Sequence, residues 1–567
     1  MKIVKFFVGV FKSYGFVEVM ISVGAFVVIL AMFVKMLIFP YGMLNFGVSN
    51  IYTEGIVARN GIQNINPLFV DYNEADREIS RLVFSGLMKY DPVNNAVVDD
   101  MATLTINEDK TEYTFALRDG LQWHDGDALT TEDVYFTFHD IVMDESFQNE
   151  ILKTNFAGVE IEMIDEVTIK FILEKPNIFF VTNLTTGIVP KHILEEADPY
   201  DLLQHEFNKM PIGSGPYMVE DPVEAFSDSR TQMTLVRNPY YYDEPSDIER
   251  MRFIVYPTMD QLLKHINSVN GVVKIGGKHI LEFINNDRFD LMQYELPQYM
   301  AVFMNLDSKI LGDSKLVRLA LQKAIDKEEL TGLFGEEDIG YVDKVRVDTP
   351  LLELNQEDWE YQPSIEQAQG ALKDAGYSYG PDDVDKLGIR YGEDEGALEL
   401  NLITWAYEEG SDQYEETAAV VGYLQQQWES IGFDINVEFL AGDQFKERVM
   451  TRQYDLLFVG QNLGYNLDTY SYWHSAQASP WGQNFSNYKS FKVDSLIEDV
   501  RAVFNVEKRG RELSDMAEQI KDDVPAVFLY RPVYYYASDG KVSGVSMEGV
   551  TFPSDRFAGI SGWKFER

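Results

Sequence analysis

The chain has 567 residues, 13% aromatic and 45% hydrophobic, enough for two to four domains or one large multi-lobed one. Its 92 acidic against 48 basic residues leave a formal net charge of −44, which argues against a nucleic-acid partner because phosphate binding needs a basic footprint. Cysteine is absent, so disulfides, thiolate metal sites, thiol catalysis and a lipidated-cysteine anchor are excluded.

In chain order, the first feature is apolar. Residues 16–39 carry only Glu18 and Lys35 as charges, each near an end. As a helix rising about 1.5 Å per residue, the segment spans roughly 36 Å against a bilayer core of about 30 Å. Lys2, Lys5 and Lys12 precede it, so the positive-inside rule puts residues 1–15 in the cytoplasm and the large remainder outside. The alternative is a cleaved signal peptide, although no small-x-small cleavage site follows Phe39.

No repeat, heptad run or Pro/Gly/Ser linker follows. "TEYTFALRDGLQWHDG" (111–126) places Tyr113, Phe115 and Leu117 on one face and turns at Asp119-Gly120 and Asp125-Gly126, which predicts a hairpin. Thr130, with Asp133 three residues on, is a capping-box start for a helix. Residues 315–334 have apolar positions three or four apart and predict one amphipathic helix. "SIEQAQGALKDAGY" predicts another, stopped by Gly376, and residues 416–440 run from a helix through Gly432 into a strand at 434–440. With "YDLLFVG" (454–460) as a further strand, the alternation predicts α/β layers.

His124 and Asp125 are adjacent, but neighbours in an extended segment face opposite ways, so the pair predicts scaffold and not a catalytic dyad. The seven histidines (124, 139, 192, 205, 265, 279 and 474) include no HxH, HExxH or i, i+4 pair, which argues against a preassembled metal site. No GxSxG, P-loop or GxGxxG element is present, and "GDSK" (312–315) lacks the spacing to cradle a phosphate. No catalytic residue, metal or cofactor is therefore expected. The clusters "NPYYYDEP" and "RPVYYYASDG" alternate faces as strands would, either packing a sheet or lining a pocket.

"FALRDGLQWHDGDALTTEDVYFTF" is followed by "PIGSGPYMV", "LVRNPYYY", "VRLALQKAID", "LKDAGY", "LQQQWESIGFDINVE", "YDLLFVG" and "VPAVFLYRPVYYY", and preceded by "NINPLF". In this joint order, over residues 52–567, the chain resembles the family 5 extracellular solute-binding proteins, the oligopeptide-, dipeptide- and nickel-binding components of ABC importers. The resemblance implies an α/β, class II periplasmic-binding-protein-like fold: lobe Ia (52–85, 211–262 and 526–567), an inserted lobe Ib (86–210) and lobe II (263–525), hinged by two crossing strands. It implies a monomeric receptor without enzymatic activity or cofactor, held by the N-terminal helix, taking peptides or peptide-like solutes in its cleft and passing them to ABC permease subunits. A sensory or pheromone receptor, or a binder of a nickel chelate or oligosaccharide, is the alternative on the same fold. His474 is the histidine nearest the ligand loop that nickel would favour.

Peptide binders of this kind hold the ligand's ammonium with an aspartate in a W-x-x-D-Y-x-D-P-D stretch. The corresponding stretch here is "GQNLGYNLDTY" (460–470), with Gln461 near the tryptophan position and Gly464 where the aspartate would stand. Asp468 matches a later, more structural aspartate, and it and Asp71 are the substitutes for a cation partner. Arg452 stands where oligopeptide binders carry an arginine and would receive a ligand carboxylate, its alternative being a surface salt bridge. Asn73, Asn462 and Tyr465 are expected to line the cleft; Trp405 is a cleft candidate that reads more readily as core.

Overall fold

The computed structural model describes residues 51–70, 73–334, 342–352, 359, 362–380, 388–392, 396–465 and 468–566. The anchor predicted at 16–39 and Asp71 lie outside these residues. Among the described residues no helix is long and apolar enough to cross a membrane.

A 12-stranded mixed sheet is the backbone of the molecule, in two halves. In one half, Ile51–Val57 pairs in parallel with Gly271–Ile275, and Tyr217–Ala225, Thr231–Arg237 and Arg250–Tyr256 form an antiparallel meander. In the other, Glu399–Trp405 lies parallel to both Asp434–Leu440 and Leu456–Asn462. Parallel neighbours need a crossover, supplied between the first two by the helix Asp412–Glu429. The 13-residue strand Ala526–Ser538 joins the halves. Its first part pairs with Gln298–Met304 (Phe303 opposite Ala526), and its last part pairs with Asp290–Glu295 and Gly271–Ile275 (Gly271 opposite Ser538). Two antiparallel segments, 290–304 and Ala526–Ser538, thus connect two lobes.

Each lobe has its own core. In the first lobe, buried side chains of the meander continue into a separate four-stranded sheet, Ala102–Ile106, Glu112–Leu117, Thr168–Leu173 and Val159–Met163. In the second, one cluster around Trp428 and another around Trp473 pack the sheet. The tryptophan indoles are fully buried, and Trp428 Nε1 donates to Leu321 O at 2.9 Å, so burial leaves no polar debt there.

Three local expectations change. The strand Glu112–Leu117 forms, but it pairs with Ala102–Ile106 and Thr168–Leu173, while the hairpin is a separate tight loop bridged at Gln122 and Ala128. Gly126 turns that loop at φ +94°, where a side chain would be strained. Residues 315–334 split into Lys315–Lys323 and Lys327–Gly332, because the Asp326 carboxylate accepts from Glu328 N and Glu329 N and starts a new helix. "NPYYYDEP" is a turn and not a strand: Pro239 has no N–H to give a ladder, and Asn238 Oδ1 accepts from Tyr240 N at 2.8 Å. "RPVYYY" does lie within a strand.

The capping box at Thr130 and Asp133 forms as predicted. His124 is buried scaffold. Its Nδ1 accepts from Gly213 N at 3.1 Å and its Nε2 lies 3.1 Å from Gly215 O, so the neutral ring pins the "PIGSGPY" segment. Burial pushes its pKa down to about 4. Asp125 points elsewhere, to His192 at 3.0 Å.

Candidate ligand cleft

The helix Glu74–Val83 organises the first-lobe wall. Asn73 caps it: Oδ1 accepts from Ala75 N at 2.9 Å, and Nδ2 donates to Gly61 O at 2.7 Å. Ala75, Ile79, Leu82 and Val83 enter the core. Glu78 reaches back to Arg556, which also pairs with Glu54 at 3.2 Å, and all three are at most 1% exposed. Burial raises both carboxyls, Glu78 to about 7, and the guanidinium between them offsets only part of that shift. The triad locks the helix to strand Ile51–Val57 and to the short 3-10 segment Pro553–Gly562. Arg77 and Arg81, four apart, share the helix's remaining face.

The second lobe reaches this wall through Tyr465. Its hydroxyl donates to Asp555 Oδ1 at 2.7 Å, its ring stacks on Tyr90 at 4.7 Å between centroids, and it meets Phe552 edge-on at 5.0 Å. Burial, then the nearby Asp555 charge, holds the phenol well above its usual range. Burial raises Asp555 too, with Arg81 and two backbone N–H groups, Thr551 and Phe552, working against it. Burial alone would lower Arg81; the Tyr465, Asp555 and Asp100 groups around it outweigh that and raise it.

These residues enclose a cavity of about 150 Å³ where first lobe, four-stranded subdomain and second lobe meet. Its walls are Arg77, Arg81, Phe84, Tyr465, Phe552 and Ser554, with Asn149, Leu152, Thr185 and Thr186 from the subdomain side. Asn149 is itself fixed by donating to Leu68 O at 2.9 Å and accepting from Leu152 N. Further direct contacts join the subdomain to the second lobe: Ile178 N donates to Arg501 O at 2.8 Å and Lys110 lies over the Phe504 ring. A wide hollow of about 470 Å³ around Arg452 and Asn305 is formed on the second lobe alone, so a ligand there would not bridge the lobes.

Of the residues predicted from sequence, Tyr465 lines the interlobe cavity. Asn73 caps the helix that carries the arginines. Gln461 is buried, accepting from the Tyr299 hydroxyl and donating to Gln483 O. Asn462 is exposed and closes its own turn, Oδ1 accepting from Gly464 N at 3.0 Å. Gly464 has φ +64° and open space where a Cβ would stand. Asp468 pairs with Arg501 at 3.0 Å and accepts from Tyr470 N. Trp405 packs edge-on against Phe445 at 5.3 Å. The Arg452 guanidinium donates to four backbone carbonyls, of Val449, Ser479, Gly482 and Asn484, and to Asn487 Oδ1, so it knits its own loop together. His474 stacks on Tyr470 and accepts from Ala476 N, and it is not among the cavity's walls. Sequence reading missed Arg77, Arg81, Phe552 and Ser554. The only local signal was an arginine pair at i, i+4 behind an Asn cap.

A model of the bacterial extracellular solute-binding proteins, family 5 (middle), matches residues 96–483. The chain belongs to this family. Among curated relatives of this family 5 protein, the oligopeptide-binding protein AppA of Bacillus subtilis is 23% identical over 492 residues, covering 83% of this chain and 85% of the relative. The dipeptide-binding protein of Escherichia coli is 21% identical over 469 residues, covering 77% and 81%. The solved structure of B. subtilis AppA with a nonapeptide superposes with a TM-score of 0.72 at 20% identity, covering 91% of this chain and 99% of that one. NikZ of Campylobacter jejuni with Ni(L-His) gives 0.71 at 23% identity, with the same coverage. The expected α/β binding-protein fold is thereby confirmed, and the family is one of solute binders, not of enzymes.

Proposed function

We propose that this family 5 binding protein is the receptor of an ABC importer and captures peptides or peptide-like solutes outside the cell, between its lobes. The observation that carries the reading is the cavity at the lobe junction, where Tyr465 crosses from one lobe to bond Asp555 of the other. A ligand there touches both lobes only when they are closed. It therefore stabilises closure by its difference in affinity for the two states, and moving a 1:99 population to 99:1 takes a preference of about 10⁴-fold. A permease can then read the closed form as loaded. The printed names of the relatives, an oligopeptide and a dipeptide binder, support peptides as the solute class.

In this reading residues 16–39 anchor a monomer in the membrane with the large domain outside. The lobes follow the boundaries 52–85, 211–262 and 526–567 for Ia, 86–210 for Ib and 263–525 for II. The test is native mass spectrometry of the full chain purified in detergent. A co-purifying ladder of peptide masses released on denaturation is the expected result, whereas a single sugar or metal-chelate mass would overturn the peptide reading.

A further inference from the structure

The long helix Asp412–Glu429 turns an acidic start, with Asp412, Glu415 and Glu416, toward bases from the other half of the sheet. The helix belongs to the second half: Val420, Val421, Leu424 and Trp428 enter its core. Lys278 and His279 follow the strand Gly271–Ile275 of the first half, and Ile280 and Phe283 just after them are buried with Tyr256 and Val272. Gly277, at φ +59°, turns the chain after that strand, and its N–H donates to Asp343 Oδ1 at 3.0 Å. His279 Nε2 then lies 2.5 Å from Asp412 Oδ2, and Lys278 Nζ lies 2.7 Å from Asp412 Oδ1 and 3.4 Å from Glu415. Ser411 caps the helix, its Oγ accepting from Tyr414 N at 3.2 Å, so the carboxylate that receives both bases is fixed in the first turn.

We propose that His279 and Asp412 form a proton-sensitive clasp between the two halves, which favours the closed state while the imidazole is charged. This rests on the receptor reading above, but closure itself can be read without a ligand. Neither connecting segment, 290–304 or Ala526–Ser538, contains either residue, so a hinge rotation between the halves changes their separation. About 1 Å of lengthening ends the hydrogen bond. The pair is better shielded than Arg59 with Glu408: the His279 side chain is 14% exposed, against 72% and 63% for those two. The histidines at 139, 192 and 474 pair within their own lobe. Among the side chains around the clasp, imidazole is the type that changes charge between about pH 5 and 8. Asp412 stays a carboxylate there: burial works to raise it, and the Lys278 bond and the His279 charge outweigh that and hold it below its usual range. Lys278 stays an ammonium, its own pKa raised by Asp412. Glu415 and Glu416 stand beside it, Glu416 joined at 3.2 Å to a Lys344 that also pairs with Asp343, and Glu282 is exposed on the short helix after the histidine. A carboxylate that meets the imidazolium only on closure makes closing take up protons, so the closed form gains as pH falls and loosens as pH rises through the imidazole range. The loss is partial, because Lys278 keeps its charge and a neutral ring still donates one N–H, though a weaker one than a charged donor gives.

The chain has no cysteine, so Lys264→Cys and Gln444→Cys place one spin label on an exposed position of each half. Pulsed dipolar spectroscopy of the full chain in detergent then follows the distance between the labels from about pH 5.5 to 8.5 at fixed ionic strength. The population at the distance this structure sets is expected to fall, relative to the rest, by about threefold or more as pH rises, the scale of a partly shielded ion pair. His279→Gln keeps a donor without a titrating charge and is expected to flatten the profile. Asp412→Asn is expected to flatten it from the other side, with circular dichroism confirming that each variant folds. A wild-type profile independent of pH, or one that His279→Gln leaves unchanged, overturns the proposal. Neither result touches peptide capture, which the mass spectrometry of co-purifying ligands decides separately.

Discussion

His124 shows how far a single residue can be understood from its neighbours in the chain. Adjacency to Asp125 in an extended segment excluded a dyad, and the structure gives the ring a purely internal task between Gly213 and Gly215. Its pKa falls from 6.5 in the unfolded chain to about 4 here because burial penalises the charged form. Between those values the unfolded chain binds more protons, so this residue's contribution is present above pH 6.5 and is lost as pH falls towards 4, on the order of 3 kcal/mol in all. Asp76 (about 6) and Glu78 (about 7) act oppositely, since their raised pKa values favour the folded state at low pH. We therefore expect His124→Gln to be less stable than wild type at pH 7 and the gap to narrow by pH 4.5, as urea denaturation would measure. Arg556 was not legible in sequence, because its partners Glu54 and Glu78 lie in distant segments. Arg556→Met would leave two carboxyls buried without a counter-charge, with an expected loss of about 3–5 kcal/mol in the same assay. Arg556→Met combined with Glu78→Gln should recover part of it.

At the scale of elements, periodicity found the strands Glu112–Leu117, Asp434–Leu440 and Leu456–Asn462 and the helices Ile365–Asp374 and Asp412–Glu429, while capping and proline chemistry decided where it failed. A hydrophobic pattern runs through residues 315–334, yet Asp326 offers its carboxylate to the next two backbone amides and restarts the helix. "NPYYYDEP" alternates like a strand, yet Pro239 and the Asn238 turn override it. The helix Glu74–Val83 has the opposite history: an unremarked segment in sequence, it carries the arginine face of the cleft. Its cap, Asn73, ties the helix start to the Gly61 carbonyl. Asn73→Ala should cost about 1 kcal/mol of stability. It should also weaken ligand binding more than an Ala substitution at the exposed cap Asn505, whose helix Val506–Asp523 lies away from the cavity walls. Calorimetric titration of both variants checks this. Gly464 lies in the left-handed region with open space around its Cβ. Aspartate tolerates that conformation better than most residues, so Gly464→Asp is expected to fold and to gain preference for peptides with a free N-terminus over acetylated ones.

For the whole molecule, the order of motifs along the chain was enough to assign the two-lobed fold, but the cleft's chemistry was hidden. Its walls come from residues 67–70, 77–84, 149–152, 185–187, 465 and 552–554, and no local pattern joins them. Exposed ion pairs across the lobes, Arg59 with Glu408 at 3.2 Å and Lys175 with Glu498 at 3.9 Å, are worth about 0–1 kcal/mol each and fade with salt. Closure must rest instead on Tyr465, on the contacts of Ile178 and Lys110 with the second lobe, on the clasp at Asp412 and on the ligand. Small-angle scattering of wild type is expected to show a smaller radius of gyration with saturating trialanine, and Tyr465→Ala a reduced response. The acidity of the chain has a kinetic consequence as well. A molecule carrying −44 repels an anion at long range, and salt screens that repulsion beyond a Debye length of about 10 Å at 0.1 M. Association of a carboxylate-bearing solute should therefore quicken as salt is added over the dilute range, the reverse of ordinary electrostatic steering, so that a saline surrounding sets the pace at which this receptor fills.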